Sequence, residues 1–373
     1  MRRLLVLACA AVAVVAAPAC GGDHAGKPRL PRALPRDFIG IVAEDAFAAP
    51  PRERRRILRR LGAAGVRLIR QTFDWSLVER APGRYHLAAL DAYVAATASA
   101  RIEVLPVLFN PPRFRSSAPR RGAGRTTYPP ARPSSFGRFA ARLARRYGPR
   151  GSLWRARPRL PRVPIRAWQV WNEPNLPIYW GGDPDPHAYA RLLAAAKRAL
   201  KAVDPHAEVV SAGLAESRLG MPFEQFVRRL YEAGAADSVD TFALHPYAAD
   251  ADGTLRAVER TRELLDELDP HAPIWVTELG WASGGPSSPF TVGERGQAAR
   301  IGSVLGDLVD LRRERGVRGV VYFNWRDAPP YPGGQDFFGL HTGLLRRNGS
   351  PKPAFDSFRA AVREEASDPQ RAR

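Results

Sequence analysis

Lysine, cysteine and methionine are scarce in this chain of 373 residues. Only four of its 57 basic residues are lysines, so the net charge of +20 rests almost entirely on arginine. The arginines are spread along the whole sequence, whereas nucleic-acid-binding proteins usually gather their charge on one face. We therefore expect no nucleic-acid partner and interpret the arginine content as the codon bias of a GC-rich genome. Attraction to anionic glycans or to a membrane surface stays open.

The two cysteines do not predict a disulfide. Cys9 lies within the apolar run of residues 4–17, which follows Arg2 and Arg3 and is shorter than the ~20 residues of a spanning helix. This pattern predicts a secretory signal peptide over residues 1–20. Its removal would leave Cys20 as the single remaining cysteine, so the core has to stabilise the fold without a disulfide.

The segment around Cys20 is similar to a bacterial lipobox, in which the cysteine is lipidated and becomes the first residue. Ala17 stands where such motifs usually have leucine, so ordinary cleavage is the alternative. The Gly- and Pro-rich residues 21–36 predict a flexible tether. We expect a bacterial protein that is either anchored to the membrane at Cys20 or freely secreted.

Motifs for metals and nucleotides are missing as well. The sequence has no His-Glu-x-x-His and no Cys/His cluster, and no Gly-x-Gly-x-x-Gly follows its first strand-like run. We therefore expect neither a metal nor a cofactor.

Eight short apolar runs, each followed by a helical pattern, dominate the chain from residue 37 onward. Such runs are typical of parallel strands that are buried on both faces. The predicted strands are Ile39–Val42, Val66–Gln71, Glu103–Leu108, Ala167–Trp171, Glu208–Ala212, Val239–Leu244, Ile274–Glu278 and Gly319–Asn324. They predict an α/β fold, a (β/α)₈ TIM barrel that forms a single catalytic domain over residues 37–363, with a frayed tail over residues 364–373. A doubly wound open sheet is the alternative, weakened by the missing glycine motif.

Polar side chains follow six of these strands. Glu173 comes just after the fourth strand within Trp-Asn-Glu-Pro-Asn, and Glu278 ends the seventh within Trp-Val-Thr-Glu-Leu-Gly-Trp. Because barrel enzymes carry their chemistry at the C-terminal ends of the strands, both carboxylates should meet on one face. Companions expected on the same rim are Arg70, Asn110, Asn172, His245, Tyr247, Asn324 and Trp325. Two carboxylates on such a face are the minimal equipment for breaking a glycosidic bond.

Each of these residues also has a purely structural interpretation. Asn172 and Glu173 precede a proline and could cap a helix. Glu278 could be a buried ion-pair partner of Arg70, and His245 could hold a loop. All of these interpretations would have to coincide on one face, which favours the catalytic one.

The chain resembles the clan A retaining glycoside hydrolases, a superfamily of (β/α)₈ enzymes that includes families 5 and 39. Asn172-Glu173-Pro174, Glu278-Leu279-Gly280, His245-Pro246-Tyr247 and Trp325 carry this resemblance. It implies that Glu173 is the general acid/base, that Glu278 is the nucleophile, and that Asn172 binds the sugar 2-hydroxyl. Arg70 and Tyr247 are the expected partners of an ionised Glu278.

Aromatic rings are expected to bind the sugar, because the apolar face of a pyranose stacks on them. We expect Trp325 to form the platform beside the cleavage point. Candidates for outer subsites are Tyr179, Trp180, Trp281 and Phe337, and Asp74 and Trp75 are further candidates for the cleft. Asn110 stands where many family 5 enzymes have histidine, so a cellulase or mannanase assignment is doubtful, and the Trp-Asn-Glu-Pro-Asn segment favours family 39.

The function predicted from the sequence is a monomeric retaining glycosidase that acts on a poly- or oligosaccharide, with β-linkages favoured. A non-catalytic carbohydrate-binding lipoprotein and an envelope transglycosidase are the alternatives. The sugar, its linkage and the choice between endo and exo action stay open, because loops such as residues 110–134 decide them.

Overall fold

The computed structural model describes residues 28, 30–31, 33–119, 121 and 127–367. The predicted signal peptide, Cys20 and residues 21–27 of the predicted tether lie outside the described residues. Part of that tether contacts the barrel, since Arg312 donates from Nη1 to the carbonyl of Pro31 at 3.0 Å. Within the described part of the chain, no helix is both long and apolar enough to cross a membrane.

The described residues contain eleven strands. They are β1 (Ile39–Val42), β2 (Leu68–Asp74), β3 (Glu79–Ala81), β4 (Arg84–Tyr85), β5 (Glu103–Phe109), β6 (Ala167–Val170), β7 (Glu208–Val210), β8 (Leu214–Ala215), β9 (Phe242–His245), β10 (Ile274–Leu279) and β11 (Val317–Tyr322). All eight predicted strands are present, the first with the predicted bounds and the other seven with shifted ends. The short antiparallel hairpin of β3 and β4 was not predicted.

The large sheet is parallel and closes into a barrel. Its strand order is β7-β6-β5-β2-β1-β11-β10-β9-β8, and the two ends of this order are both pieces of the fifth barrel strand. β8 pairs with β9, while Val210 at the end of β7 forms a parallel bridge with Thr241, just before β9. The predicted (β/α)₈ barrel is therefore confirmed, with β1, β2, β5, β6, β7–β8, β9, β10 and β11 as its eight strands in turn.

Twelve α-helices are present in the same residues, and the longer ones form the outer ring. They are α1 (Glu44–Ala48), α2 (Pro51–Ala63), α3 (Trp75–Val78), α4 (Ala88–Ser99), α5 (Pro133–Tyr147), α6 (Ser152–Ala156), α7 (Pro177–Trp180), α8 (Pro186–Lys201), α9 (Phe223–Glu232), α10 (Ala251–Leu268), α11 (Gly293–Leu311) and α12 (Pro353–Ser367). The last helix continues to Ser367, so residues 364–367 are helical rather than part of a frayed tail, and residues 368–373 lie outside the described residues.

Two apolar layers hold the barrel together. Inside the ring, each barrel strand contributes one buried side chain, and these eight are Val42, Leu68, Leu105, Ala167, Val210, Ala243, Trp275 and Val321. A larger layer between strands and helices contains most of the other buried apolar side chains. This arrangement explains the continuous apolar character of the predicted strands, since both of their faces are buried.

The contact between α5 and α8 depends on a glycine. A Cβ atom at Gly137 of α5 would lie 2.6 Å from the carbonyl oxygen of Ala195 in α8. Such a distance is shorter than any ordinary contact, so the helices could not keep their present separation. Gly302 of α11 is also a helical glycine, but a Cβ atom there would meet nothing within 4 Å.

We expect Gly137→Ala to lower the free energy of unfolding by about 1–3 kcal/mol, because the added methyl group overpacks the helix pair. Gly302→Ala is the matched control and should raise it by about 0.5–1 kcal/mol, since alanine favours a helix over glycine. Urea denaturation of both variants measures the difference. Equal effects at the two positions would contradict this account of the packing.

Candidate active site

Six of the predicted rim residues converge at the C-terminal end of the barrel. They are Arg70, Asn172, Glu173, His245, Tyr247 and Glu278. Arg70 lies within β2, which continues to Asp74, and the other five lie at or just after the ends of β6, β9 and β10. Each is linked to another of the six by a side-chain hydrogen bond or ion pair. Glu173 caps no helix, because α7 begins only at Pro177.

Glu278 has a partner on each carboxylate oxygen. Arg70 Nη1 contacts its Oε1, and the hydroxyl of Tyr247 donates to Oε2 at 2.9 Å. Burial raises the pKa of Glu278, but the charges of His245 and Arg70 and the hydrogen bonds from Tyr247 and Arg70 together bring it below its ordinary value. Glu278 is therefore held ionised.

Glu173 is held by a histidine instead of an arginine. His245 is fully buried, and its Nδ1 lies 2.7 Å from Glu173 Oε1. The opposite ring nitrogen, Nε2, lies 3.0 Å from the hydroxyl of Thr277. The two glutamates thus have different surroundings, with a cation on Glu278 and an imidazole on Glu173.

The two carboxylates lie close together. One oxygen each of Glu173 and Glu278 and one ring nitrogen of His245 all lie within 4.8 Å of one another. Three such ligands could in principle hold a metal ion. However, Arg70 places a positive charge on Glu278, and its other oxygen accepts from Tyr247, which disfavours a cation at this position.

Sequence reasoning missed several residues that hold this arrangement. Gln169 is completely buried, accepts from Arg70 Nε at 2.7 Å and donates from Nε2 to Thr277 Oγ1 at 3.1 Å. The same guanidinium also contacts Asn172, which the sequence did predict and which accepts from Arg70 Nη2 at 2.8 Å. A glutamine within the apolar strand Ala-Trp-Gln-Val was the available signal, because a buried polar residue is unusual and needs partners.

The fifth barrel strand is interrupted to make room for His245. A Cβ atom at Gly213, between β7 and β8, would lie 1.9 Å from His245 Nε2. The carbonyl of Gly213 also accepts from the backbone N–H of Glu173 at 3.1 Å. The predicted strand Glu208–Ala212 therefore ends early, because the chain leaves the sheet ladder to enclose the histidine.

Backbone strain is concentrated at this end of the barrel. Among the described residues, four non-glycine residues have positive φ, and three of them follow strands at this rim: Asn110 (φ 54°), Trp171 (φ 77°) and Glu173 (φ 39°). Such conformations cost about 1–3 kcal/mol each and persist where the surrounding structure enforces them, often at functional sites.

The tryptophans that were expected to contact sugar are buried. Trp325 is 1% exposed, with its indole against Phe355 and under the guanidinium of Arg60. Trp281 is equally buried and donates to the carbonyl of Ala248. This burial disfavours Trp325 as a sugar platform and Trp281 as an outer subsite, although Trp325 contributes to the wall of the large cavity described below.

Trp180 and Trp75 are packing residues too. Trp180 is 4% exposed and contacts Trp171 edge to face, while Trp75 is fully buried and stacks on Phe139. The Asp74 side chain accepts from the backbone N–H of Ser76 at 2.8 Å and from Asn110 Nδ2 at 2.9 Å. Asp74 and Asn110 therefore fix the rim, which is a supporting role.

Other aromatic residues remain accessible. Tyr179 is half-buried near both glutamates, whose charges contribute, after burial, to the rise of its pKa. Tyr331 and Phe337 are 49% and 41% exposed and stack on each other with ring centres 5.9 Å apart. Tyr179 and Phe337 were predicted as outer-subsite candidates and are accessible in the structure, whereas Tyr331 was not among those candidates.

The chain is similar to several known glycosidases. A beta-xylosidase of Geobacillus stearothermophilus is 29% identical over 217 residues, which span 52% of this chain and 41% of that protein. A family 39 glycoside hydrolase of Bacteroides cellulosilyticus WH2 superposes with a TM-score of 0.62 at 21% identity, covering 89% of this chain and 64% of that one. A glucosidase of Croceicoccus marinus gives a TM-score of 0.67 at 17% identity, covering 92% and 70%.

The superpositions establish the fold, a (β/α)₈ barrel that this chain shares with these glycoside hydrolases. The sequence match spans less than half of the length of the beta-xylosidase. No family model matches the sequence.

The ion pair of Glu278 and Arg70 predicts a pH-dependent stability. We expect Arg70→Met to lower the free energy of unfolding by about 3–5 kcal/mol at pH 7, because it leaves a buried carboxylate without its cation. The lowered pKa of Glu278 stabilises the wild type above the unfolded value near 4.5, and this contribution is lost as the pH falls through the folded pKa. The difference between wild type and variant should therefore shrink in acid.

Urea denaturation at several pH values measures this difference. In a Glu278→Gln background the same Arg70→Met change leaves no buried carboxylate without a partner, so it should lower the free energy of unfolding much less. An equal cost in both backgrounds, at all pH values, would show that the pairing contributes nothing.

Proposed function

We propose that this protein is a retaining β-glycosidase in which Glu278 is the nucleophile and Glu173 the general acid/base. The observation that carries the proposal is the close pair of carboxylates in unequal surroundings. One oxygen of each lies within 4.8 Å of the other, which favours the ~5–5.5 Å carboxyl separation of retaining enzymes over the ~6.5–9.5 Å of inverting ones.

In the first step, Glu278 attacks the anomeric carbon of the sugar. The glycosidic C–O bond breaks, and Glu173 transfers its proton to the departing oxygen. The lowered pKa of Glu278 supports this division of roles, because a nucleophile has to be ionised. Arg70 and Tyr247 orient its two oxygens and disperse their charge until the ester bond forms.

In the second step, Glu173 takes a proton from water, and the water oxygen attacks the anomeric carbon of the glycosyl ester. Glu278 leaves as a carboxylate, and the configuration of the sugar is retained. His245 and Thr277 hold Glu173 in one orientation for both proton transfers. The side-chain oxygen of Asn172 accepts a hydrogen bond from Arg70, so the NH₂ group of Asn172 can donate to a sugar hydroxyl.

The first substrates to test are β-xylosides, since the matched relative is a beta-xylosidase. A glucosidase shares the same barrel, so β-glucosides belong in the same panel. The balanced charges of the site favour a neutral sugar.

Substitution of either glutamate should abolish turnover of unactivated glycosides. We expect Glu278→Ala to remove activity on all substrates, since no covalent intermediate forms. Glu173→Ala should reduce kcat/KM by about 10²–10⁴-fold on poor leaving groups but far less on 2,4-dinitrophenyl glycosides, which depart without a proton. Azide should restore turnover of Glu173→Ala by trapping the glycosyl ester.

Proton NMR of the first product reads its anomeric configuration, and Glu224→Ala, an exposed glutamate on α9, serves as the control. An inverted first product would defeat the assignment of Glu278. Binding of glycans without turnover by the wild type would favour the carbohydrate-binding alternative, and products longer than the substrate would favour a transglycosidase.

We also propose that Cys20 anchors the protein to the bacterial membrane through a lipid. The proposal rests on the apolar run of residues 4–17 followed by Ala-Pro-Ala-Cys-Gly. Metabolic labelling with palmitate should label the wild type but not Cys20→Ser, which should appear in the medium. Equal release of both proteins into the medium would favour ordinary cleavage.

A further inference from the structure

A large cavity opens beside the catalytic centre without including it. Its volume is about 1260 Å³, and it is lined by residues that follow β1, β10 and β11. Neither Glu173 nor Glu278 is among them. Pockets for single small molecules measure about 300–1,000 Å³, so this cavity has room for more than one sugar unit.

The position of the cavity on the ring indicates which part of a substrate it faces. The acid/base Glu173 protonates the leaving oxygen, so the leaving group has to extend past β6, the fourth barrel strand. The cavity lies at β11 and β1, the eighth and first strands, which is the opposite side of the ring. A sugar chain in it would therefore lie on the glycone side, beyond the unit that Glu278 attacks.

The cavity begins directly at the catalytic residues. Phe323, which lines it, donates from its backbone N–H to the carbonyl of Leu279, next to Glu278, at 2.8 Å. Glu44, another lining residue, lies close enough to Arg70 for its charge to affect the carboxyl group. Burial raises the pKa of Glu44, and the charge of Arg70 is among the influences that lower it. The wall of the cavity therefore adjoins both Glu278 and its partner Arg70.

The lining has the groups that bind neutral sugars. Tyr331 and Phe337 present exposed, mutually stacked rings, on which the apolar face of a pyranose can stack. Oδ1 of Asn324 is buried in the lining and has no hydrogen-bond partner among the described residues. A buried acceptor of this kind is costly unless a ligand supplies a donor, and a sugar hydroxyl does so.

Charge in the cavity is largely neutralised within its own walls. Three of its cations form ion pairs with three of its carboxylates at 2.6–2.9 Å, namely Arg326 with Asp45, Arg346 with Glu294 and Lys352 with Asp327. The remaining charged lining residues, Glu44 and Arg347, have opposite signs. This balance favours an uncharged chain over uronic acids.

We propose that this cavity is a binding site for at least one further neutral sugar unit on the glycone side, so that the enzyme acts on oligosaccharides and releases products longer than a monosaccharide from that end. The proposal rests on the function proposed above, because the assignment of the glycone side uses the roles of Glu173 and Glu278.

The test compares aryl glycosides that carry one sugar unit with those that carry two. Matched pairs are 4-nitrophenyl β-xyloside and β-xylobioside, with the glucoside/cellobioside and mannoside/mannobioside pairs beside them. For its preferred sugar, the wild type should show a kcat/KM about tenfold higher on the bioside. The double variant Tyr331→Ala/Phe337→Ala should lower this ratio about 3- to 10-fold, as loss of a stacked ring predicts. Phe114→Ala, 44% exposed and outside the cavity, should keep the ratio.

Calorimetric titration of xylotetraose, cellotetraose and mannotetraose into Glu278→Gln, with and without the double substitution, measures the site without turnover. The double substitution should weaken tetraose binding about tenfold. Hydrolysis of the aryl monosides without preference for the biosides, or unchanged tetraose binding, would overturn the proposal while leaving the glycosidase assignment intact. If no glycoside is hydrolysed, the proposed function fails, and tetraose binding that depends on Tyr331 and Phe337 still supports a sugar site in the cavity.

Discussion

A buried carboxylate that has to stay ionised organises the upper face of this barrel. Glu278 is costly to bury without a cation, and Arg70 supplies that cation from a strand three positions away around the ring. Arg70 is in turn held by Gln169 and Asn172, so one network joins β2, β6 and β10. The position of Glu278 therefore depends on the closure of the whole barrel.

The need to place His245 beside Glu173 explains the irregular parts of the sheet. His245 has to reach Glu173 from the end of β9, and the fifth strand gives way at Gly213 so that the imidazole fits. Glu173 itself has positive φ, a conformation that regular structure would not require. The regular strands thus form the scaffold. Local irregularities in them bring the two carboxylates close together while each keeps different partners.

Aromatic residues are divided between two tasks. The tryptophans near the strand ends pack beneath and around the site, where they keep the rim rigid. Two of the rings that remain accessible, Tyr331 and Phe337, belong to the long connection after β11. The barrel therefore positions the two carboxylates, whereas a loop carries the accessible rings, and such a separation lets one fold support different functions.

The sequence by itself determined the eight strands, their order as parallel units, and the meeting of Glu173 with Glu278. Apolar runs and the residues at their ends can be read locally, and in a closed barrel the C-terminal ends of all strands lie on one face. The sequence did not determine which aromatic rings are exposed, why β7 ends early, or that Gln169 and Thr277 support the site. Those features depend on contacts between residues far apart in the chain. Trp325 shows the reason: its place after β11 follows from the pattern, but packing against Phe355 and Arg60 decides that its ring is buried.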